Sequence, residues 1–160
     1  MTAGTGGGTE VSSSVQSRTR SLSVPHDAAG ARRARQLLAN ELREHLPPAL
    51  LTDAVAVAGE LLGNAVRHAR PMPDGTIRLA WRLNEADGAV VLFVTDGGST
   101  TQPRPQAVPP DALDGRGLAI VSALSNAWGV ERDETGQTVW AVVGAREERG
   151  PVLGHPGAPH

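Results

Sequence analysis

Residues 54–69 read Ala-Val-Ala-Val-Ala-Gly-Glu-Leu-Leu-Gly-Asn-Ala-Val-Arg-His-Ala and are almost wholly apolar or small. A helix of that composition is stable only when other elements bury it. The exceptions are Glu60, Asn64, Arg67 and His68. Positions four apart share a helix face, so Glu60, Asn64 and His68 form one polar stripe on an otherwise buried helix. A buried carboxylate is costly unless it is paired or touches a bound ion or ligand. A row of solvent-facing polar residues would also explain the stripe. Gly59 and Gly63 weigh against it, because a glycine weakens a helix by about 0.8–1 kcal/mol. Two of them beside the stripe imply that something approaches closely.

The surrounding chain supplies the layer such a helix needs. Ser21–Val24 is a short strand ended by Pro25, and Asp27 caps a helix with Ala34, Leu37, Leu38 and Leu42 at helical spacing. Pro47-Pro48 stops that helix and starts the next, which runs to about Ala69 ahead of Pro71-Met72-Pro73-Asp74-Gly75. Thr76–Leu83 alternates as a half-buried strand, and Ala89–Thr95 is a nearly continuous apolar strand. A proline-rich loop from Gly97 to Asp114 has no secondary structure of its own, as functional lids often have none. A short helix is predicted from Gly117 to about Ser125, then strands near 127–132 and 138–143 joined by a turn. Helices mostly first and hairpin-linked strands afterwards predict an α+β two-layer sandwich. Residues 1–20 read as a flexible lead-in, 21–146 as the folded domain and 147–160 as a disordered tail.

Composition removes several chemistries. The chain has no cysteine, which excludes disulfides, thiolate catalysis and cysteine-bound zinc. All 15 basic residues are arginine. Without lysine there is no P-loop, no protein-kinase strand lysine and no Schiff base. A net charge of -2 points to neither nucleic acid nor membrane as a direct partner. No export signal is legible and no apolar run approaches a membrane span, so the expected location is cytoplasmic.

Three further segments carry chemistry, each weakly when alone. Asp96-Gly97-Gly98 follows an apolar strand, where a carboxylate can receive an amino group while glycine backbone makes room for a planar ring. A plain turn would explain it equally well. Gly115-Arg116-Gly117-Leu118 opens a helix, and free backbone N–H groups at a helix start suit phosphates. A loop needing positive φ is the bland alternative. Gly136-Gln137-Thr138-Val139-Trp140 fits a hairpin turn and strand.

In this order and spacing the segments resemble the superfamily of ATPases and kinases called GHKL or Bergerat-fold proteins, which includes DNA gyrase, sensor histidine kinases and anti-sigma-factor serine kinases. Glu60-Leu-Leu-Gly-Asn64-Ala-Val-Arg-His68 is similar to its N box, Asp96-Gly-Gly98 to its G1 box and Gly115-Arg-Gly-Leu118 to its G2 box. The run from Gly115 to Val130 is similar to the anti-sigma-factor kinases of the RsbW and SpoIIAB type. The resemblance covers about Leu22 to Val143 and implies a two-layer sandwich whose sheet is mixed, mostly antiparallel, with helices on one face.

It also implies roles. Glu60 would be the general base and Asn64 the magnesium ligand, with His68 lying in the ATP stripe. Asp96 would accept from the adenine amino group with Gly98 beside it, and Thr138 would support that contact. Gly115, Arg116, Gly117 and Leu118 would wrap the phosphates. The implied cofactors are ATP and Mg2+. The implied partner is a sigma factor or an anti-sigma-factor antagonist, phosphorylated on serine or threonine, and a homodimer is suggested. The chain departs from the G1 pattern at Thr100, where a further glycine is usual, and its lid carries Pro103, Pro105, Pro109 and Pro110. Those departures motivate a second reading, a non-catalytic ATP-binding module that sequesters a regulator.

Overall fold

The computed structural model describes residues 19–98 and 113–144, with side chains in the second stretch described from Gly117 onward. The segment before Thr19, the loop at 99–112 and the tail from 145 lie outside the described residues. The elements are β1 (Thr19–Pro25), α1 (Ala28–Leu42), α2 (Pro48–His68), β2 (Thr76–Asn84), β3 (Ala89–Asp96), α3 (Leu113–Leu124), β4 (Ala127–Asp133) and β5 (Gly136–Val143). The first strand therefore begins inside the stretch read as lead-in.

Local chemistry sets the helix starts. Asp27 caps α1 by accepting the Gly30 N–H at 2.7 Å. Gly30 lies under the end of β1, where a β-carbon would run into the Pro25 carbonyl oxygen. The buried row Gly30, Ala34, Leu38, Leu42 then faces inward at four-residue spacing. Pro48 occupies the first turn of α2, where its missing N–H costs nothing. Contrary to the sequence expectation, α2 is long and apolar enough to cross a membrane by length and composition alone. It is a core helix instead: Ala54, Val57, Ala58, Leu61, Leu62 and Ala65 are buried against the sheet, with α1 on one side and α3 on the other.

The sheet runs β1-β2-β3-β5-β4. All four pairings are antiparallel, so the expected mixed sheet is not found among the described residues. The reason is topological. The chain leaves β3 through α3, enters at the edge as β4 and returns by a hairpin, which inserts β5 between two strands that would otherwise pair in parallel. Asp133 clasps that hairpin, accepting from Thr135 Oγ1 (2.7 Å), Thr135 N (2.8 Å) and Gly136 N (3.1 Å). These bonds, the Thr135 hydroxyl first, hold its carboxyl below the ordinary range.

One sheet face builds the core. Ile77, Leu79 and Trp81 of β2, Val90, Leu92 and Val94 of β3, and Val139, Ala141 and Val143 of β5 meet the helices. The other face carries its own pairs: the Arg82 guanidinium sits 5.7 Å from the Phe93 ring centroid, and Gly129 lies under the Trp140 indole.

Candidate functional site

The polar stripe stands at the margin of the core face of α2. Glu60 and Asn64 are half-buried and His68, in the last turn, is exposed. Asn64 is one step round the helix from Leu61 and Ala65, so its amide is drawn partly inward. Its Oδ1 is buried and has no hydrogen-bond partner. A buried acceptor left unpaired is uncommon, and in native proteins a water, an ion or a ligand ordinarily satisfies one.

Gly59 and Gly63 behave differently from expectation. A β-carbon on Gly59 would meet Arg35 Cδ at 3.2 Å, and one on Gly63 would meet Arg67 Nη1 at 2.9 Å. The groups that approach these two glycines are arginine side chains of the protein itself, on the flank of α2 beside Glu60 and Asn64.

The helix α3 packs along α2 and brings Gly117 to Glu60: a β-carbon at 117 would stand 2.7 Å from Glu60 Oε1. Leu118 beside it is buried. The helix begins at Leu113, four residues before the expected start at Gly117. Burial of Leu118 and Val121 outweighs the helix penalty of Gly115 and Gly117, since packing supplies most helical stability in proteins. The N–H groups without an intrahelical partner are consequently those of the first turn, around Gly115, while the Gly117 and Leu118 amides lie within the ladder. The side chain of Arg116 lies outside the described residues.

Asp96 is the last residue of β3, where the sequence reading ended the strand at Thr95. It alternates with Val90, Leu92 and Val94 and so points to the helix side of the sheet, the same side as Glu60 and Gly117. It is 2% exposed. Its Oδ1 accepts from Gly98 N at 2.7 Å. Burial pushes its carboxyl up, opposed by that N–H and by the neighbouring His26 and Arg132 charges. His26 also has Nε2 at 2.9 Å from the Ala65 carbonyl oxygen, linking the start of α1 to α2. No sequence pattern marks His26 for this position.

Glycines let three strands of backbone close round Asp96. Gly97 N donates to Arg70 O (2.7 Å) and Arg70 N to Gly98 O (2.9 Å), tying the end of β3 to the exit of α2. A β-carbon on Gly97 would run into the Pro71 carbonyl oxygen, and one on Gly136 into that of Asp96. Gly98 has φ +90, which favours glycine.

Thr138 does not stand beside Asp96. It lies on the opposite face of the sheet, where its hydroxyl pairs with that of Thr95 at 2.8 Å. The residue across from Asp96 in the β3–β5 ladder is Gln137. Gln137 is 4% exposed and its Oε1 has no hydrogen-bond partner. Strand parity carried the signal: Val139, Ala141 and Val143 face the core, so 137 does too and 138 does not.

Together, the described side chains place one carboxylate (Glu60) against a glycine of α3, one orphaned amide oxygen (Asn64) a turn away, and a buried carboxylate (Asp96) with a second orphaned amide oxygen (Gln137) at the strand ends. Among the described residues no group of three or more His, Cys, Asp or Glu side chains is assembled that would hold a metal ion by itself. Asn64 Oδ1 suits a hard cation such as magnesium, which keeps most of its ligands from water or phosphate.

The fold is similar to that of two solved structures. One is of the RsbU and RsbW domains of Rv1364c from Mycobacterium tuberculosis, with TM-score 0.60 and 23% identity, covering 79% of this chain and 32% of that one. This chain thus spans about a third of that protein's structure. The other is the SiaB-SiaC complex from Pseudomonas aeruginosa, with TM-score 0.56 and 16% identity, covering 89% of this chain and 100% of that one. No curated protein matches the chain in sequence. The family model for the histidine kinase-like ATPase domain matches residues 24–143, which take in every strand from the end of β1 onward and all three helices, and the chain belongs to that family.

Proposed function

We propose that this chain is a cytoplasmic serine/threonine protein kinase that binds Mg-ATP among α2, the end of β3 and the start of α3, and phosphorylates an anti-sigma-factor antagonist. Glu60 takes the proton of the attacking serine or threonine hydroxyl. The hydroxyl oxygen bonds to the γ-phosphorus, the bond to the bridging oxygen breaks, and ADP leaves with that electron pair. Asn64 Oδ1 would hold the magnesium ion, which neutralises charge on the phosphate oxygens. Asp96 orients the base through its amino group, and the first-turn amides of α3 receive the phosphates.

The observation that carries this reading is the contact between Glu60 and Gly117, a carboxylate lying where the second turn of α3 meets α2. A base so placed contributes roughly 10²–10⁴-fold to proton transfer. The nature of the partner rests on analogy with the structures named above, in one of which an RsbW domain is joined to an RsbU domain while in the other SiaB is in complex with SiaC.

The test uses γ-labelled Mg-ATP and candidate antagonist proteins, with wild type and Glu60→Gln side by side. Wild type should transfer label to a serine or threonine of one antagonist, and Glu60→Gln should bind ATP normally while transferring at least about 100-fold more slowly. Equal transfer by the variant removes Glu60 from the mechanism. Capture of a regulator with no transfer and no need for ATP would favour the non-catalytic module.

A further inference from the structure

We propose that His26 is a positioning residue of this site: its imidazole fixes the end of α2 and, when protonated, sets a positive charge against the Asp96 carboxylate that receives the base. The inference rests on the nucleotide reading above and adds a residue that makes nucleotide binding respond to pH.

His26 stands where three elements of the site meet. It follows β1, its N–H donates to Gly75 O at 3.2 Å just ahead of β2, and its Nε2 lies 2.9 Å from Ala65 O in α2. A carbonyl oxygen only accepts, so Nε2 carries a proton in either charge state and Nδ1 is the nitrogen that titrates. The contact with α2 therefore survives a change of charge on the ring. The Asp96-Gly97-Gly98 turn holds the same end of α2 from the other side, through the two hydrogen bonds to Arg70. In the sheet only β2 separates the two residues, since Val24 pairs with Ile77 and Arg78 with Thr95. Burial favours the protonated form of Asp96, against which act the Gly98 N–H, His26 and Arg132 from the end of β4. Glu60, the carboxylate of α2 in the site, is turned to Gly117 instead. Arginine stays charged throughout, so His26 is the group through which pH alters the field at Asp96. Only the ionised carboxyl accepts from an amino group at both oxygens, and a cation beside it preserves that form on the acid side.

Two measurements on the full chain test this. Carbon NMR of the Asp96 carboxyl, without nucleotide, should show in wild type a second inflection where the imidazole titrates. That arm needs no variant to fold. In His26→Gln, whose amide can still donate to Ala65 O, the second inflection should vanish and the carboxyl should take up its proton at higher pH. Calorimetry with Mg-ATP, from about pH 8 down to about pH 5, then compares the two proteins. Their affinities should agree within about twofold at the alkaline end, while the variant should bind at least about threefold more weakly at the acid end. A merely structural role would weaken the variant by one factor at every pH, and that result overturns the proposal. So does a single inflection at Asp96 in wild type, or a carboxyl that titrates alike in both proteins. Binding of no nucleotide by wild type at any pH would remove the nucleotide reading and this role with it. A normal ATP affinity with a single inflection at Asp96 would remove only the role of His26.

Discussion

The Glu60 carboxylate lies against Gly117, so that a β-carbon at 117 would stand 2.7 Å from Oε1 and 3.7 Å from Cδ. Glu60 projects from the middle of α2 and Gly117 from the second turn of α3. Their contact exists because position 117 has no side chain. In an isolated helix alanine would be favoured over glycine by about 0.8–1 kcal/mol. Here Gly117→Ala is expected to displace the carboxylate or hold the helices apart. Phosphotransfer should fall at least about tenfold, with no gain in thermal stability, because a 1 Å misplacement of a reacting group costs that much or more. A stabilised variant with unchanged transfer would show that the contact is not used.

Asp96 couples binding to stability. Its carboxyl is raised because burial penalises the charged form, so the folded state binds that proton more tightly than the unfolded chain. The contribution of this group to stability is full below the ordinary aspartate range and is lost as pH rises through the raised value. Asp96→Asn keeps an oxygen for the Gly98 N–H and carries no charge. At pH 7 it should melt at or above wild type, and the difference should shrink as pH falls through the wild-type carboxyl's raised value. The same variant should lose ATP binding about tenfold or more, since a hydrogen bond to a charged group is worth roughly 1.5–3 kcal/mol. Thermal melts across pH together with nucleotide titration check both halves.

The orphaned Oδ1 of Asn64 predicts where magnesium acts. Wild type should bind ATP more tightly when Mg2+ is present. Asn64→Ala should lose most of that increment while its magnesium-free affinity stays within about twofold, the change expected where no direct base or phosphate contact is removed. Calorimetry with and without EDTA separates the two. An undiminished magnesium effect would exclude Asn64 as a ligand.

Gly59→Ala gives the opposite expectation from Gly117→Ala. The atoms a β-carbon would meet are Arg35 Cδ at 3.2 Å and Nη1 at 3.4 Å, the far part of a flexible side chain. Arg35 can step aside, and the helix gains up to about 1 kcal/mol of propensity. Denaturant unfolding should show that gain, with nucleotide affinity unchanged. Lost affinity would mean that the flank at Gly59 serves the ligand after all.

How much of this was legible beforehand follows the range of the interactions. The Asp27 cap, the Pro48 start, the apolar stripe of α2 and the spacing of Glu60, Asn64 and His68 depend on residues within a few positions of one another, and the sequence alone determined them. So did the α+β class, because helical and alternating periods are local. Tertiary structure decided the rest. Which residue stands across from Asp96 depends on the register of β5 against β3, and a shift of one position exchanges Gln137 for Thr138 and one sheet face for the other. The early start of α3 depends on burial of Leu118 and Val121, which overrides two glycines that are locally unfavourable. What fills the space at Gly59 and Gly63 depends on where long arginine side chains lie down, Arg35 from a neighbouring helix and Arg67 from one turn along. Hydrogen-bond ladders and side-chain packing join residues far apart in the chain, and no local pattern encodes which of those partners will meet.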